Sequence, residues 1–493
     1  MPDAVMADDM QREWTALDGL QVVAPPVIGL DGTIYQTVGG PKGTSNLVAF
    51  DEDGAQLWAT SPWEEPMDFD SCATTSAPVI DQQGFLYITD CDQFWAFHPD
   101  GKLKWVIDLP VPPEGQAYSN TNPFMTAFLG LNGVVGGVTV HGQVVVVDRY
   151  DGSAVTAPFT LPSVVDDAST APSAPPPLWN NGEIDPEIKD LMQAIFVGST
   201  HLATVDSPAI AETGPAPGRI FVSALSSDPA KDGALYGLDI ISDADEPVPD
   251  ADDLGSVVIA FETELNGAGG GSSPALSADN SQVYVGDGNG FLNVINAADG
   301  SVLAAYDVEN PAASPSVGSN DILYLSASGS GKAFDPNAGM ELFTTDWSNF
   351  GTSLGFTDLS GIDARVTGPF SRIDGLITVL KDNISYSLMT FYSFDYDDDP
   401  ETQALLLPVA THIVQVDQST GLLASGTAPF ALRTTNECIA LPLPSGKTYV
   451  CNASYLASLG QIGKLPSFGL PSEITDLIQD PVGGVEMFVP VGQ

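Results

Sequence analysis

One short unit recurs along the chain, and this repeat restricts the possible folds more than any other feature. "AFDEDGAQLW" (49–58) returns as "AFHPDGKLKW" (96–105) and as "AFDPNAGMELF" (333–343). Weaker copies are "VVDRYDGSAV" (146–155), "VINAADGSVL" (294–303) and "VQVDQSTGLLA" (414–424). Each copy has an alternating apolar run, a polar turn and a second run, which predicts two antiparallel strands joined by a turn.

A second recurring segment precedes the first and also predicts two strands. Its clear copies are "APPVIGLDGTIYQTV" (24–38), "SAPVIDQQGFLYITD" (76–90), "SSPALSADNSQVYVGD" (272–287) and "ASPSVGSNDILYLSA" (313–327). Weaker copies begin at 121, 206, 367 and 427. The sequence therefore predicts eight units of four short strands each.

Eight such units stacked in a line would leave two exposed sheet edges, which a closed ring removes. We therefore expect one all-β domain over 1–493, an eight-bladed β-propeller with four-stranded antiparallel blades. Two β-sandwiches are the alternative, but they do not explain the repeat. Residues 452–493 or 12–23 are expected to complete the last blade and close the ring.

Two residue types in the repeat have specific predicted roles. The glycine that ends turns such as "DEDG" and "STG" is expected to take a positive φ. Trp58 and Trp105 follow this turn at the same spacing. We expect both indole rings to pack between neighbouring units.

Insertions interrupt the repeat at about 163–204 and 241–254. The first is rich in Pro, Ser and Asn and contains a short helical pattern at 185–196; a second helix is predicted at 471–479, with Ser472 as its N-cap. The two insertions are expected to form one rim of the ring.

The charge is strongly negative. Asp plus Glu number 64 and Lys plus Arg 15, a formal net charge of -49. Such a field repels phosphate backbones and anionic membranes, so nucleic acid is not an expected partner. A protein partner that is basic, or bridged by calcium, fits better. Both a secreted environmental protein and a salt-adapted one have this composition, and we favour the first.

Four cysteines, Cys72, Cys91, Cys438 and Cys451, indicate export. The midpoint between Cys72 and Cys91 falls beside the predicted turn "DQQG" (81–84), and that between Cys438 and Cys451 falls within "LPSG" (443–446). Each pair would then lie across a single hairpin, close enough for a disulfide. Four buried free thiols are the alternative. No C-x-x-C motif is present, so a thioredoxin-like, zinc-ribbon or haem site is unsupported.

The repeat resembles the pyrroloquinoline-quinone-type propeller repeat over about residues 20–430. That repeat occurs in quinoprotein alcohol dehydrogenases and in outer-membrane assembly lipoproteins. The dehydrogenases hold the quinone under a disulfide of adjacent cysteines, with a metal ion and a catalytic Asp. This chain has no adjacent cysteines and no counterpart of that segment, so the resemblance favours the non-enzymatic scaffolds. No cofactor is expected, and pyrroloquinoline quinone in particular is not.

Three further patterns are weaker candidates for sites. "GTSLG" (351–355) matches a nucleophile motif around Ser353 but has no helical pattern behind it. "GDGNG" (286–290) is interpreted as a hairpin turn, because no helix follows it. The four histidines, His98, His141, His201 and His412, show no metal-site spacing.

One acidic loop is a candidate calcium site. It places five carboxylates within seven residues: Asp395, Asp397, Asp398, Asp399 and Glu401. Calcium requires oxygen ligands of this kind, but EF-hand spacing is absent, and a solvated acidic loop is the favoured interpretation.

The sequence therefore predicts an exported, non-enzymatic scaffold that binds a protein partner, or belongs to a larger complex, in the periplasm, at the outer membrane or outside the cell. No transmembrane segment is expected. The N-terminus does not have the pattern of a signal peptide, so either the chain is cytosolic or a leader was removed. The alternatives are a quinone-dependent oxidoreductase and a carbohydrate- or matrix-binding module.

Overall fold

The repeats form an all-β propeller in a computed structural model. It describes residues 9–65, 67–114, 121–166, 201–241, 254–267, 272–309, 314–318, 321–327, 330–345, 361–367, 370–373, 378–379, 384–396, 405–424, 427–433, 439–452, 469–476 and 483–491.

The first three blades follow one another along the chain, each with four strands. Blade 1 contains β2 (Val27–Ile28), β3 (Ile34–Thr37), β4 (Leu47–Phe50) and β5 (Gln56–Ala59). Blade 2 contains β6 (Val79–Ile80), β7 (Leu86–Thr89), β8 (Gln93–Phe97) and β9 (Leu103–Asp108). Blade 3 contains β10 (Phe128–Leu129), β11 (Val134–Val138), β12 (Gln143–Asp148) and β13 (Phe159–Thr160).

The next three blades repeat this order. Blade 4 contains β14 (Ala209–Ile210), β15 (Ile220–Ala224), β16 (Ala234–Ile241) and β17 (Ser256–Glu264). Blade 5 contains β18 (Ala275–Leu276), β19 (Gln282–Gly286), β20 (Phe291–Asn296) and β21 (Val302–Asp307). Blade 6 contains β22 (Ser316–Val317), β23 (Leu323–Ala327), β24 (Ser330–Asp335) and β25 (Met340–Thr345).

The prediction of eight four-stranded blades is wrong, because only seven four-stranded sheets are found among the described residues. The sheet after blade 6 has six strands: β26 (Val366–Thr367), β27 (Phe370–Ile373), β28 (Thr378–Val379), β29 (Ile384–Tyr396), β30 (Leu405–Asp417) and β31 (Phe430–Ala431). β29 is 13 residues long. It is therefore long enough to pair with β26, β27 and β28 one after another, as well as with β30.

The two ends of the chain share the closing blade. Its strands are β32 (Ala440–Pro442), β33 (Thr448–Asn452), β34 (Gly484–Pro490) and β1 (Met10–Ala16), in that order. β1 pairs antiparallel with β34. The segment at 427, predicted to start the last unit, instead supplies β31, the outer strand of the six-stranded sheet.

Helical structure is sparse in the described part of the chain. Two 3-10 turns, Ser71–Thr75 and Leu131–Gly133, and one short helix, α1 (Ser472–Thr475), are present. Ser472 begins α1 and is not its N-cap as predicted; Pro471 takes that position without a capping side chain. The helix predicted at 185–196 lies outside the described residues. No described helix has the length and apolar character needed to span a membrane.

The apolar core lies between consecutive blades. Tyr35 of blade 1 clusters with Leu86 of blade 2, and Phe94 of blade 2 clusters with Val135 of blade 3. Similar clusters join blades 3 and 4, 4 and 5, and 5 and 6. Because the middle strands are covered on both faces, the burial of β3 and β4 is continuous and does not alternate.

An aromatic side chain of each of several outer strands packs on a turn glycine of the next blade, as predicted for Trp58 and Trp105. The Trp58 indole N–H donates to the Pro99 carbonyl at 2.9 Å, and that of Trp105 donates to the Arg149 carbonyl at 3.0 Å. Each glycine has a positive φ, and a Cβ on it would meet the ring. The pairs are Trp14–Gly54, Trp58–Gly101, Trp105–Gly152, Phe261–Gly300, Tyr306–Gly339 and Phe343–Gly421.

The ring has two distinguishable faces, because neighbouring strands in a blade are antiparallel. The first and third turns of each blade, such as 81–85 and 148–153, lie on what we call the tryptophan face. The second turns and the connections between blades lie on the disulfide face. The insertion at 163–204 connects β13 to β14 and that at 241–254 connects β16 to β17, so they leave opposite faces rather than forming one rim.

Candidate functional site

A basic–aromatic patch on the tryptophan face is the candidate docking surface. It consists of Phe85 and Lys104 of blade 2 and Arg149 and Tyr150 of blade 3. The packing of Trp105 on the 148–153 turn brings these two blades together, since its indole binds the Arg149 carbonyl. The adjacent Lys104 then lies over the same turn.

Cations and rings alternate within this patch. The Lys104 Nζ lies 4.7 Å from the centroid of the Phe85 ring and 5.6 Å from that of Tyr150. It donates to the carbonyl of Arg149 at 3.1 Å and also to that of Tyr150. The Arg149 Cζ lies 5.0 Å from the Tyr150 ring, and Nη2 donates to the Tyr150 hydroxyl at 2.9 Å.

The patch remains accessible although its charges are held in place. Tyr150 is 51% exposed. The hydrogen bond from Arg149 lowers the pKa of the Tyr150 phenol, and burial lowers the pKa of the Lys104 amine. An exposed aromatic ring between two cations is typical of residues that anchor protein interfaces.

A hydroxyl chain connects the beginnings of four consecutive inner strands. The hydroxyls of Thr126 and Ser207 lie 2.6 Å apart. The Ser207 N–H donates to the Ser273 hydroxyl at 3.0 Å, and the Ser273 N–H donates to the Ser314 hydroxyl at 2.8 Å. Each of the three serines precedes a proline in the repeat. This recurring Ser-Pro pair is the sequence signal from which these hydrogen bonds between blades could have been predicted.

Asp206, which directly precedes Ser207, has a buried carboxylate. Its side chain is 8% exposed, and it accepts from the Ser272 N–H. Its Oδ2 is buried and has no hydrogen-bond partner among the described residues. Burial raises the pKa of Asp206 to about 8.

The raised pKa predicts how the stability depends on pH. The Asp206 carboxyl has a pKa of about 3.9 in an unfolded chain. Between that value and about 8 the folded protein holds one more proton, so stability falls as pH rises through this window. We expect Asp206→Asn to reduce this fall, measured as the unfolding midpoint from about pH 5 to 8. The exposed Asp299 has a lowered pKa, so Asp299→Asn should leave the slope over this range unchanged.

Asp70 and Asp90 lie beside a buried disulfide on the disulfide face. Cys72 and Cys91 are bonded, with their Cα atoms 4.9 Å apart. This is one of the two predicted pairs, but Cys72 lies in a 3-10 turn and not in a paired strand. Burial raises the pKa of Asp90, although its carboxylate accepts from Gln93 N and, at 2.6 Å, from Trp95 Nε1.

The second predicted disulfide is only partly described. Cys451 is buried in β33 and is disulfide-bonded. Cys438, its predicted partner, lies outside the described residues. The predicted hairpin between them is present, since β32 pairs with β33 across a turn at 443–447.

The predicted calcium ligands cannot be placed together. Asp395 lies near the end of β29, paired along the backbone with Thr367 and Leu406. Asp397, Asp398, Asp399 and Glu401 lie outside the described residues, as does Ser353. The calcium site therefore stays a prediction.

The glycine-rich motif at 286–290 has a structural role. The 286–290 segment joins β19 to β20 as a hairpin turn. Its Asp287 accepts from the N–H groups of Asn289 and Phe291, each at 3.0 Å. Within the described residues, none of the four histidines joins a group of three metal-ligating side chains. Burial lowers the pKa of His412 to about 4.

Comparison with known proteins finds similarity in structure but not in sequence. No protein-family model matches the sequence, and no curated protein matches it. The structure is similar to the computationally designed protein Ika8, with a TM-score of 0.50 and 11% sequence identity over 97% of this chain and 100% of that chain.

Two natural proteins also show similarity in structure. BamB from Moraxella catarrhalis has a TM-score of 0.46 and 10% identity, covering 97% of this chain and 99% of its own. The quinohemoprotein alcohol dehydrogenase ADHIIG from Pseudomonas putida HK5 has a TM-score of 0.47 and 13% identity, covering 98% of this chain and 76% of its own. The propeller expected from the repeat is established by the sheet topology of the described residues and not by these two similarities.

Proposed function

We propose that this protein is an exported, non-enzymatic propeller scaffold that binds a protein partner in the periplasm or at the cell surface. The observation that carries the proposal is the basic–aromatic patch, with Tyr150 exposed between Lys104 and Arg149. Tyr and Arg are enriched among the residues that supply most of the binding energy at interfaces.

The chemistry of the partner follows from the net charge of the whole protein and from the local charges of the patch. A net charge of -49 attracts a partner of opposite net charge from a distance. Close to the surface, Arg149 and Lys104 would bind a carboxylate of that partner beside an apolar group on Tyr150. We therefore infer a protein that is basic overall and contributes an acidic side chain at the contact, alone or within a larger envelope complex; calcium bridging is the alternative.

Export is supported by the Cys72–Cys91 disulfide, because such bonds persist chiefly in oxidising compartments. The disulfide closes a loop with a sequence separation of 19 residues. In the chain-entropy description, a crosslink of this size stabilises a fold by roughly 3 kcal/mol.

A photocrosslinking experiment in the source cells tests the proposal. Tyr150→p-benzoylphenylalanine is expected to capture one polypeptide on irradiation. The control is the same change at Leu303 of blade 5, which is 52% exposed and so matches Tyr150 at 51%. It should not capture this polypeptide. With the captured protein purified, Tyr150→Ala should weaken binding about 30-fold, a loss of about 2 kcal/mol.

Two results would argue against this function. Equal capture at positions 150 and 303, or a Tyr150→Ala affinity equal to that of Leu303→Ala, would exclude the patch as the docking surface. A visible quinone absorption in protein purified from its source would instead support the oxidoreductase alternative. We expect a featureless visible spectrum.

A further inference from the structure

Three potential metal ligands converge beside the 3-10 turn Ser71–Thr75. The ligand atoms of Asp70, Cys72 and Cys91 all lie within 4.8 Å of one another. In the structure the two sulfur atoms are bonded to each other, so they are not free to bind a cation. The cluster is therefore a ligand set only when the disulfide is reduced.

The Asp70 side chain holds the main chain of both cysteines together independently of the sulfur–sulfur bond. The Asp70 Oδ1 accepts from the N–H of Cys72 at 2.8 Å and from that of Cys91 at 3.4 Å. One carboxylate thus fixes the main chain of both cysteines. We expect the thiols to stay adjacent after reduction, because these hydrogen bonds do not involve sulfur.

The surroundings favour a bound cation over two free thiols. Asp70, Cys72 and Cys91 are 6%, 0% and 1% exposed. A second buried carboxylate, Asp90, accepts from the Asp70 N–H. Ser71, the residue between Asp70 and Cys72, has a buried hydroxyl with no hydrogen-bond partner among the described residues. A cation would give these buried oxygen atoms a positively charged partner.

A tetrahedral ion requires its ligand atoms at a defined separation. Zinc–sulfur and zinc–oxygen bonds of about 2.3 and 2.1 Å place the ligand atoms of a tetrahedral site roughly 3.6–3.8 Å apart. The three ligand atoms already lie within 4.8 Å of one another, and the two sulfur atoms would move apart to this separation once their bond is reduced. Two thiolates and one carboxylate are a ligand set that zinc accepts, with water in the fourth position.

We propose that reduction of the Cys72–Cys91 disulfide by a dithiol creates a site for a thiophilic divalent cation such as Zn²⁺, bound by Cys72 Sγ, Cys91 Sγ and an Asp70 carboxylate oxygen. The dithiol gives up two electrons and two protons and becomes a cyclic disulfide, while the protein gains two thiols. Zn²⁺ then displaces both thiol protons to solvent. This site does not depend on the proposed docking function.

The full-length protein allows a direct test. It would be reduced with dithiothreitol, freed of reductant by anaerobic gel filtration, and titrated with Zn²⁺ against a chromophoric chelator. We expect one equivalent to bind the reduced protein and none to bind the oxidised protein. Because two protons leave, the affinity should rise with pH by up to about 100-fold per pH unit below the thiol pKa values. Co²⁺ in place of Zn²⁺ should give a thiolate charge-transfer band.

Two variants identify the ligands. Cys72→Ser combined with Cys91→Ser keeps the other two cysteines and should bind no Zn²⁺. Asp70→Asn should bind at least about tenfold more weakly, since loss of even an outer-shell partner costs 10- to 100-fold. Zn²⁺ binding that survives in the double cysteine variant would overturn the proposal.

The wild-type protein gives a result even if the variants do not fold. Reduced protein that keeps its near-UV circular dichroism but binds no Zn²⁺ would overturn the proposal. Reduced protein that loses this signal and regains it with Zn²⁺ would support it. Loss of the signal without recovery in Zn²⁺ would overturn it.

Discussion

Gly101→Ala is expected to destabilise the protein by about 2–5 kcal/mol. Gly101 has a φ of 80°, where a Cβ costs roughly 1–2 kcal/mol. The new Cβ would also lie 2.7 Å from the Trp58 ring. That ring is held by its hydrogen bond to the Pro99 carbonyl, so relieving the overlap should add about 1–3 kcal/mol. Urea denaturation followed by tryptophan fluorescence would measure the loss.

Gly19→Ala is the matched control for backbone strain. Gly19 has a φ of 81° but nothing within 4 Å of its Cβ position. It should therefore lose only the backbone contribution, about 1–2 kcal/mol. The difference between the two variants measures the contact between Trp58 and the neighbouring blade. Equal losses would show that this contact does not constrain the ring.

Glu486→Gln is expected to lower the free energy needed to open the closing blade by about 2–3 kcal/mol. Glu486 is fully buried, accepts from the Arg433 N–H at 2.8 Å and forms an ion pair with the Arg12 guanidinium. Neutralising it leaves Arg12 without its partner. The estimate is below the usual 3–5 kcal/mol for a broken buried pair, because the Arg12 side chain is 34% exposed and solvent compensates in part.

Hydrogen exchange of β1 and β34 would measure this loosening. A change of 2–3 kcal/mol corresponds to exchange about 30- to 150-fold faster in Met10–Ala16 and Gly484–Pro490. Glu13→Gln is the control, since Glu13 is 37% exposed and pairs with Lys447 at 2.8 Å. It should cost less than about 1 kcal/mol. Faster exchange spread evenly over all blades would show that Glu486 does not act specifically on the pairing of β1 with β34.

The repeat predicted the local structure well because its signals are local. Alternating apolar residues and turn glycines specify a strand pair within a few residues, and blades 1, 2, 5 and 6 follow the strong copies. The roles of Trp58 and Trp105 could also be predicted, since their spacing from the turn is constant. "TAPF" at 427–430 misled the prediction, because an inner and an outer strand can have the same short apolar pattern.

The candidate sites were much less predictable. Lys104 and Arg149 are 45 residues apart in sequence, and only the packing of Trp105 between blades brings them together. The Cys72–Cys91 pair was predicted from a hairpin midpoint, yet a 3-10 turn capped by Asp70 places Cys72. Asp206 carries no sequence signal that distinguishes it from an exposed aspartate.

The sequence by itself determined an all-β propeller, the strand pairs of its clear units, the turn glycines and the strongly negative charge, because each depends on short-range pattern or on composition. Only the tertiary structure decided the number of four-stranded blades, since 13-residue strands such as β29 can pair with several short partners. It also decided which charges lie together and which acids are buried. These properties depend on contacts between blades, and a repeat that is nearly the same in each unit does not encode the differences between those contacts.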